Sequence, residues 1–199
     1  MKSNICTIKK GGLGLETILA EVEKVAEYNS LPKKETLRLR LLAEELTGML
    51  PGLVENFDGY FWLENNGNKY ELHTEFSVGN LSKEKKQKLI DVSATKKNSA
   101  ASGFMGKIRD IAENMLLFSE EPGVNNFYAT EFMYDCHIAD ISYSYAWTLE
   151  NYIESQKQKT DSTEEEWDQL EKSIVAKLAD DVIVGVRGRK VEIIIIKEF

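Results

Sequence analysis

From Leu15 onward the apolar residues recur every three or four positions. Leu15, Ile18, Leu19, Val22, Val25 and Ala26 fall on one stripe, and Glu16, Glu21, Glu23 and Lys24 lie mostly off it, the pattern of an amphipathic helix. Asn29-Ser30-Leu31-Pro32 ends that helix and launches a second one over Lys34–Leu53, so the two make a helical hairpin. In the second helix Leu39, Leu42, Ala43, Leu46, Met49 and Leu50 form the inner stripe, while Leu37, Leu41, Glu44 and Gly48 line roughly the opposite side. Two apolar sides predict a helix covered by a sheet on one side and by another element or a ligand on the other. Gly48 lowers helix propensity by ~1 kcal/mol relative to Ala, which predicts close approach of a neighbour or ligand to the backbone beside Glu44. Pro51 and Gly52 are expected to end the helix.

Period two governs much of the rest. Residues 1–14 read as an extended lead with an edge strand around Asn4–Lys9, and Tyr60–Glu64 reads as a strand turning at Asn65-Asn66-Gly67-Asn68. In the return strand Tyr70, Leu72, Thr74 and Phe76 alternate with Glu71, His73 and Glu75, so one face is buried and the other is wet or functional. Ser82–Asp91 reads as a short charged helix capped by Ser82. Val92–Ser102 holds small polar residues and two lysines, buries little and reads as a mobile loop. Gly103–Gly106 opens a helix with Ile108, Ile111, Ala112, Met115 and Leu116 inside. Ile141–Leu149 alternates as a strand, Gln156–Thr163 reads as a polar linker or exposed tip, and Glu164–Asp180 as a helix with Trp167, Leu170, Ile174 and Leu178 on one side. A final hairpin, Val182–Val186 and Val191–Lys197, carries the unbroken run Ile193–Ile196, which predicts a central strand or one buried on both faces. The fold class expected from this order is α+β: a two-layer sandwich with helices on one face of a mostly antiparallel sheet.

Charge and cysteine usage narrow the setting. The 199 residues carry a formal net charge of −8, which repels nucleic acid and anionic membranes, so neither is an expected partner. Two cysteines, Cys6 and Cys136, make no disulfide framework and no CxxC pattern, which suits a reducing cytoplasm. The first residues lack a signal-peptide core, and EIIIIK near the end is too short to span a bilayer.

Three segments carry candidate chemistry: Glu44 on the central helix, the loop Val92–Ser102, and the turn Gly103-Phe104-Met105-Gly106. A glycine-containing turn at a helix start offers free backbone N–H groups and the positive end of the helix dipole. Lys96, Lys97 and Lys107 add charge, and Ser93, Thr95, Asn98, Ser99 and Ser102 add hydrogen-bonding groups, a set that suits phosphates. An acid on a facing helix would orient water. Each feature alone has an ordinary explanation: a solvated acid, a common helix start, an exposed connection. Their order along the chain is what gives them weight.

With those residues in view, Leu15–Leu116 and the last hairpin resemble the GHKL ATPase fold of gyrase, histidine kinases and, most closely, anti-sigma-factor kinases. The resemblance implies a single Bergerat-type domain over 1–199 with an insertion at 124–163, where no family motif is matched. Glu44-Glu45-Leu46-Thr47-Gly48 is similar to the family's E-x-x-x-N box. It implies Glu44 as general base, with Thr47 and Gly48 beside the nucleotide. Gly48 stands where the Mg²⁺-holding Asn would be, so no metal ligand is assigned and weak or absent turnover is expected. The glycine turn after the lid resembles the family's third box, which implies that ATP is bound by Lys96, Lys97, Asn98, Ser99, Gly103, Phe104, Met105, Gly106 and Lys107. The family's Asp-x-Gly-x-Gly has no Asp to match it near Ser77–Asn80. The function implied is a cytoplasmic ATP-binding regulatory domain that works with a protein partner, possible also as a homodimer.

Two other functional classes compete with it. One is a domain of the same shape that binds only a protein, using the aromatic 124–163 stretch as its contact surface. The other is a structural dimer in which Tyr143, Tyr145 and Trp147 pair across an axis. Cys136-His137 next to Asp135 suggests a nucleophile or a metal ligand, but neighbouring residues in a strand point to opposite sides and no second His/Cys cluster exists.

Overall fold

The hairpin of helices and the six described strands assemble as the periodicity predicts. The computed structural model describes residues 1–8, 14–53, 59–77, 145–158, 170, 172–187 and 189–199, together with the helical positions Phe104, 106–108, Ile111, Ala112 and Met115. The side chains of 49–53, 145 and 146 are not described. The elements are β1 (Cys6–Ile8), α1 (Leu15–Tyr28), α2 (Lys33–Leu53), β2 (Gly59–Asn66), β3 (Lys69–Ser77), β4 (Tyr145–Thr148), α3 (Leu149–Gln158), α4 (Ile174–Leu178), β5 (Asp181–Arg187) and β6 (Lys190–Glu198). The strands form one sheet in the order β1-β2-β3-β6-β5-β4, and every neighbouring pair is antiparallel.

Alternation along the strands decides which face meets the helices. Phe61 and Leu63 of β2, Leu72 and Phe76 of β3, Val191, Ile193 and Ile195 of β6, and Val182, Val184 and Val186 of β5 are buried in one core. Ile18, Val22 and Val25 of α1 and Leu39, Leu42, Ala43 and Leu46 of α2 complete that core. Fully burying an aliphatic side chain of this size stabilises by roughly 1.5–3 kcal/mol, so this face holds the two layers together. The second faces of β2, β3 and β6 carry Trp62, Glu64, Glu71, Glu75 and Glu192 in half-buried positions. Between β2 and β3 the turn is tight. Gly67 adopts φ 65, and Asn65 Nδ2 donates to the carbonyls of Gly67 (2.8 Å) and Lys69 (3.3 Å).

Several expectations need correction. Helix α2 runs to Leu53, the predicted end of its span, with Pro51 and Gly52 inside its last turn. Near a helix end, proline forfeits a single backbone bond, here to the Thr47 carbonyl, without ending the turn. Among the described residues nothing approaches Gly48, because a Cβ built there meets no atom of theirs within 4 Å. The position is exposed, and Leu37 is exposed as well. The second side of α2 is therefore open at these positions. Gly48→Ala should accordingly stabilise the protein by about 1 kcal/mol through helix propensity. That corresponds to a rise of about 2–4 °C in Tm by calorimetry, and a fall would show that something does contact this point.

Leu149 belongs to α3, not to a strand, and the polar stretch after it is helical as far as Gln158. Gln156 is buried there instead of lying at an exposed tip. The expected helix over Glu164–Asp180 is interrupted at Ser173, whose hydroxyl caps α4 by accepting from the Ala176 N–H (3.2 Å). The break resets the helical phase. Val175 is buried and Ile174 exposed, the reverse of an unbroken stripe. Ile193–Ile196 does lie in a central strand, with Ile193 and Ile195 buried and Ile194 and Ile196 half-buried on the other face. The expected helix Ser82–Asp91, the loop Val92–Ser102, Trp167 and the Cys136-His137 pair fall outside the described residues. No described helix is long and apolar enough to cross a membrane.

Candidate functional site

On α2 the candidate residues sit one turn apart, and their polar groups are engaged locally. Glu44 Oε1 accepts from Arg40 Nε at 3.1 Å, an i,i+4 pair, and Arg40 also bridges to Glu23 on α1. The two carboxylates, Glu44 first and then Glu23, hold the Arg40 guanidinium above its usual pKa. All three side chains are substantially exposed, so solvent screens these pairs and a ligand can displace them cheaply. Thr47 is buried and its hydroxyl donates back to the Ala43 carbonyl at 2.7 Å. That bond satisfies the hydroxyl within the helix and turns it away from any ligand.

The second group of candidates is described only in part. Phe104, Gly106 and Lys107 are helical, as expected for a turn that opens a helix. Phe104 is only 2% exposed and belongs to the core. Lys107 Nζ hydrogen-bonds the Tyr152 hydroxyl and lies 4.2 Å from that ring's centroid, so its charge is shared with α3. Lys96, Lys97, Asn98, Ser99, Gly103 and Met105 lie outside the described residues. Glu44 and Thr47 thus bond within the α1–α2 hairpin, whereas Lys107 bonds to α3.

A different cluster assembles on the sheet face that turns away from the helices. In the β2–β3 register Trp62 pairs with His73 and Glu64 pairs with Glu71, so four chemically active side chains form a square. The Trp62 and His73 rings stack with centroids 4.9 Å apart and planes at 8°. This stacking leaves His73 only 7% exposed on a face expected to be wet. Its Nδ1 lies 3.1 Å from Glu192 Oε1 on β6, and its Nε2 lies 3.4 Å from Glu71 Oε2. That Nε2 is buried and makes no hydrogen bond among the described residues.

Glu64 Oε1 accepts from Trp62 Nε1 (2.8 Å) and from Lys2 Nζ (2.9 Å). The Lys2 bond first, and then the indole bond, hold this carboxyl below the ordinary carboxylate range. Lys69 Nζ pairs with Glu71 Oε1 at 2.7 Å. One donor atom each from Glu64, Glu71 and His73 lies within 4.8 Å of the others. Sequence reading missed this cluster because its members come from three strands and no spacing links Glu64 to Glu192. The one signal available was the Glu71-His73-Glu75 alternation, which marked the face but not its partners.

No family model, no curated protein and no solved structure matches this chain. The functional reading therefore rests on the arrangement of side chains.

Proposed function

We propose that this chain is a cytoplasmic adenine-nucleotide-binding regulatory domain of the GHKL type, with little or no turnover, acting on a protein partner. What supports the reading is that the α1–α2 hairpin and the helical residue Phe104 pack into one core on an antiparallel sheet. In this reading the nucleotide lies between helices and sheet, with its phosphates toward Val92–Gly106. Gly48 stands where the family's Mg²⁺-holding Asn would be, so in this reading the nucleotide is held with little or no turnover.

A thermal-shift titration with ATP and ADP, each with and without Mg²⁺, tests this. At a ligand concentration of 100 Kd, binding stabilises by about 2.7 kcal/mol, which corresponds to a Tm rise of roughly 5–11 °C for a chain of this size. Gly48→Asn fits sterically, since nothing lies within 4 Å of a Cβ there, and it should make the ATP shift depend on Mg²⁺. A flat response in all four conditions defeats nucleotide binding. The second reading, a protein-binding module without nucleotide, is favoured by the local engagement of both Glu44 and Thr47, and it predicts that flat response.

A further inference from the structure

We infer that Glu64, Glu71 and His73 form a binding site for a divalent transition-metal ion of the zinc class on the face of the sheet opposite α1 and α2. The site needs donors of the right type, spacing and protonation, and each can be checked. One imidazole nitrogen and two carboxylates are a donor set used by Zn²⁺ and its neighbours. Around a tetrahedral ion with arms of about 2.1 Å, ligand atoms stand roughly 3.4 Å apart. His73 Nε2 and Glu71 Oε2 are already 3.4 Å apart. The full trio spans no more than 4.8 Å, so the remaining closure is a side-chain adjustment by Glu64, whose side chain is 40% exposed.

The proton inventory points the same way. Glu192 beside Nδ1 favours the tautomer with the proton on that nitrogen, the carboxylate–histidine arrangement that orients metal-bound imidazoles. Nε2 then presents a lone pair toward Glu71, while Glu71 itself faces Glu64 directly across the strands. Like charges opposite each other destabilise a strand pair. A buried nitrogen without a hydrogen bond carries its own cost. A divalent cation at their meeting point relieves both.

Lys69 does not fill that role at Glu71, because it contacts Oε1 whereas Oε2 faces the imidazole; Lys2 holds Glu64 Oε1 from the exposed side. The Trp62 ring closes one side of the imidazole. The exposure of Glu64 and Glu71 leaves an approach for the ion and a remaining coordination position for water. With three protein ligands the site is of the open kind.

Isothermal titration of the full chain with Zn²⁺, in the presence of a reductant, tests this. One ion per chain is expected, with affinity lowered at least tenfold by His73→Gln and by Glu71→Gln. Glu192→Gln, which leaves the three ligands in place, should weaken binding about 10–100-fold. Because a substitution in the sheet can impair folding, Co²⁺ titration of the wild-type protein supplies the second measurement. Visible d–d bands without sulfur-to-cobalt charge transfer, together with a shifted His73 ring resonance, are expected. Absence of zinc binding by the wild type, undiminished binding by a folded His73→Gln variant, or an unmoved His73 resonance would each overturn the site. The last two results mean that the ion sits elsewhere, and the first means that His73 only bridges Glu71 and Glu192 across the strands. The cluster lies across the sheet from α2, so these outcomes are independent of any response to nucleotide.

Discussion

Trp147→Ala is expected to cost about 3–5 kcal/mol of stability, the range for removing a large aromatic side chain from a packed core. For a chain of this length that is a fall of roughly 6–20 °C in Tm. Trp147 is 1% exposed, pairs in register with Val184 of β5, and packs its ring 5.7 Å from that of Tyr152 on α3. It therefore joins the edge strand β4 to both its sheet neighbour and the helix that follows. The loss should appear in denaturation with an unchanged size-exclusion profile. A variant with wild-type melting but altered elution would return Trp147 to the role of an interface residue. Tyr143 lies outside the described residues and the Tyr145 side chain is not described, so Trp147 alone is the informative substitution.

Gly14→Ala is expected to destabilise by about 2–6 kcal/mol, combining backbone strain of about 1–3 kcal/mol with overpacking of about 1–3 kcal/mol. Gly14 sits at φ 115 immediately before α1, and its carbonyl accepts from the Ile18 N–H at 3.0 Å. An added Cβ would lie 2.5 Å from the Thr7 carbonyl oxygen, a backbone atom of β1 that cannot swing aside. Relief would require moving either the edge strand or the start of α1. Gly67 supplies the contrast: at φ 65 with nothing within 4 Å of a Cβ, it should accept Asn, a residue tolerant of positive φ, at little cost. Equal melting temperatures for wild type and Gly14→Ala would mean that the approach of Gly14 to β1 is not tight in solution.

Fold class was legible because the periods were long and clean. Ile18 through Ala26, Leu39 through Leu46, and Tyr70 through Phe76 each kept one repeat for several turns or steps, and each buried the face that the repeat marks. Helix α3 was missed because LENYIESQKQ is polar overall, and its inward residues Leu149, Tyr152 and Gln156 include a polar one. The Ser173 break was missed because a capping serine inside an apolar repeat looks like any small residue. Gly48 misled in a different way. A glycine in a helix was read as evidence of a close ligand or neighbouring element, yet among the described residues no neighbouring atom comes within 4 Å of a Cβ there. The cluster on the sheet depends on cross-strand register, which Glu71 and His73 alone do not disclose.

The placement of β6 has a kinetic consequence. The last strand in this sequence stands fourth of six across the sheet, between β3 and β5. Pairing Ser77 with Lys190 closes a loop over residues 78–189, and loop-closure entropy must be met before the contacts of the new pair reward it. Local hairpins such as β2–β3 and β5–β6 can form early, so joining them across this gap is expected to be the slow step in assembling the sheet. Until that event β3 presents an unpaired edge, and a partly folded chain is open there to pairing with another copy of itself. Substitutions that weaken β3–β6 should therefore slow folding and raise the yield of aggregate on refolding even where the final stability changes little.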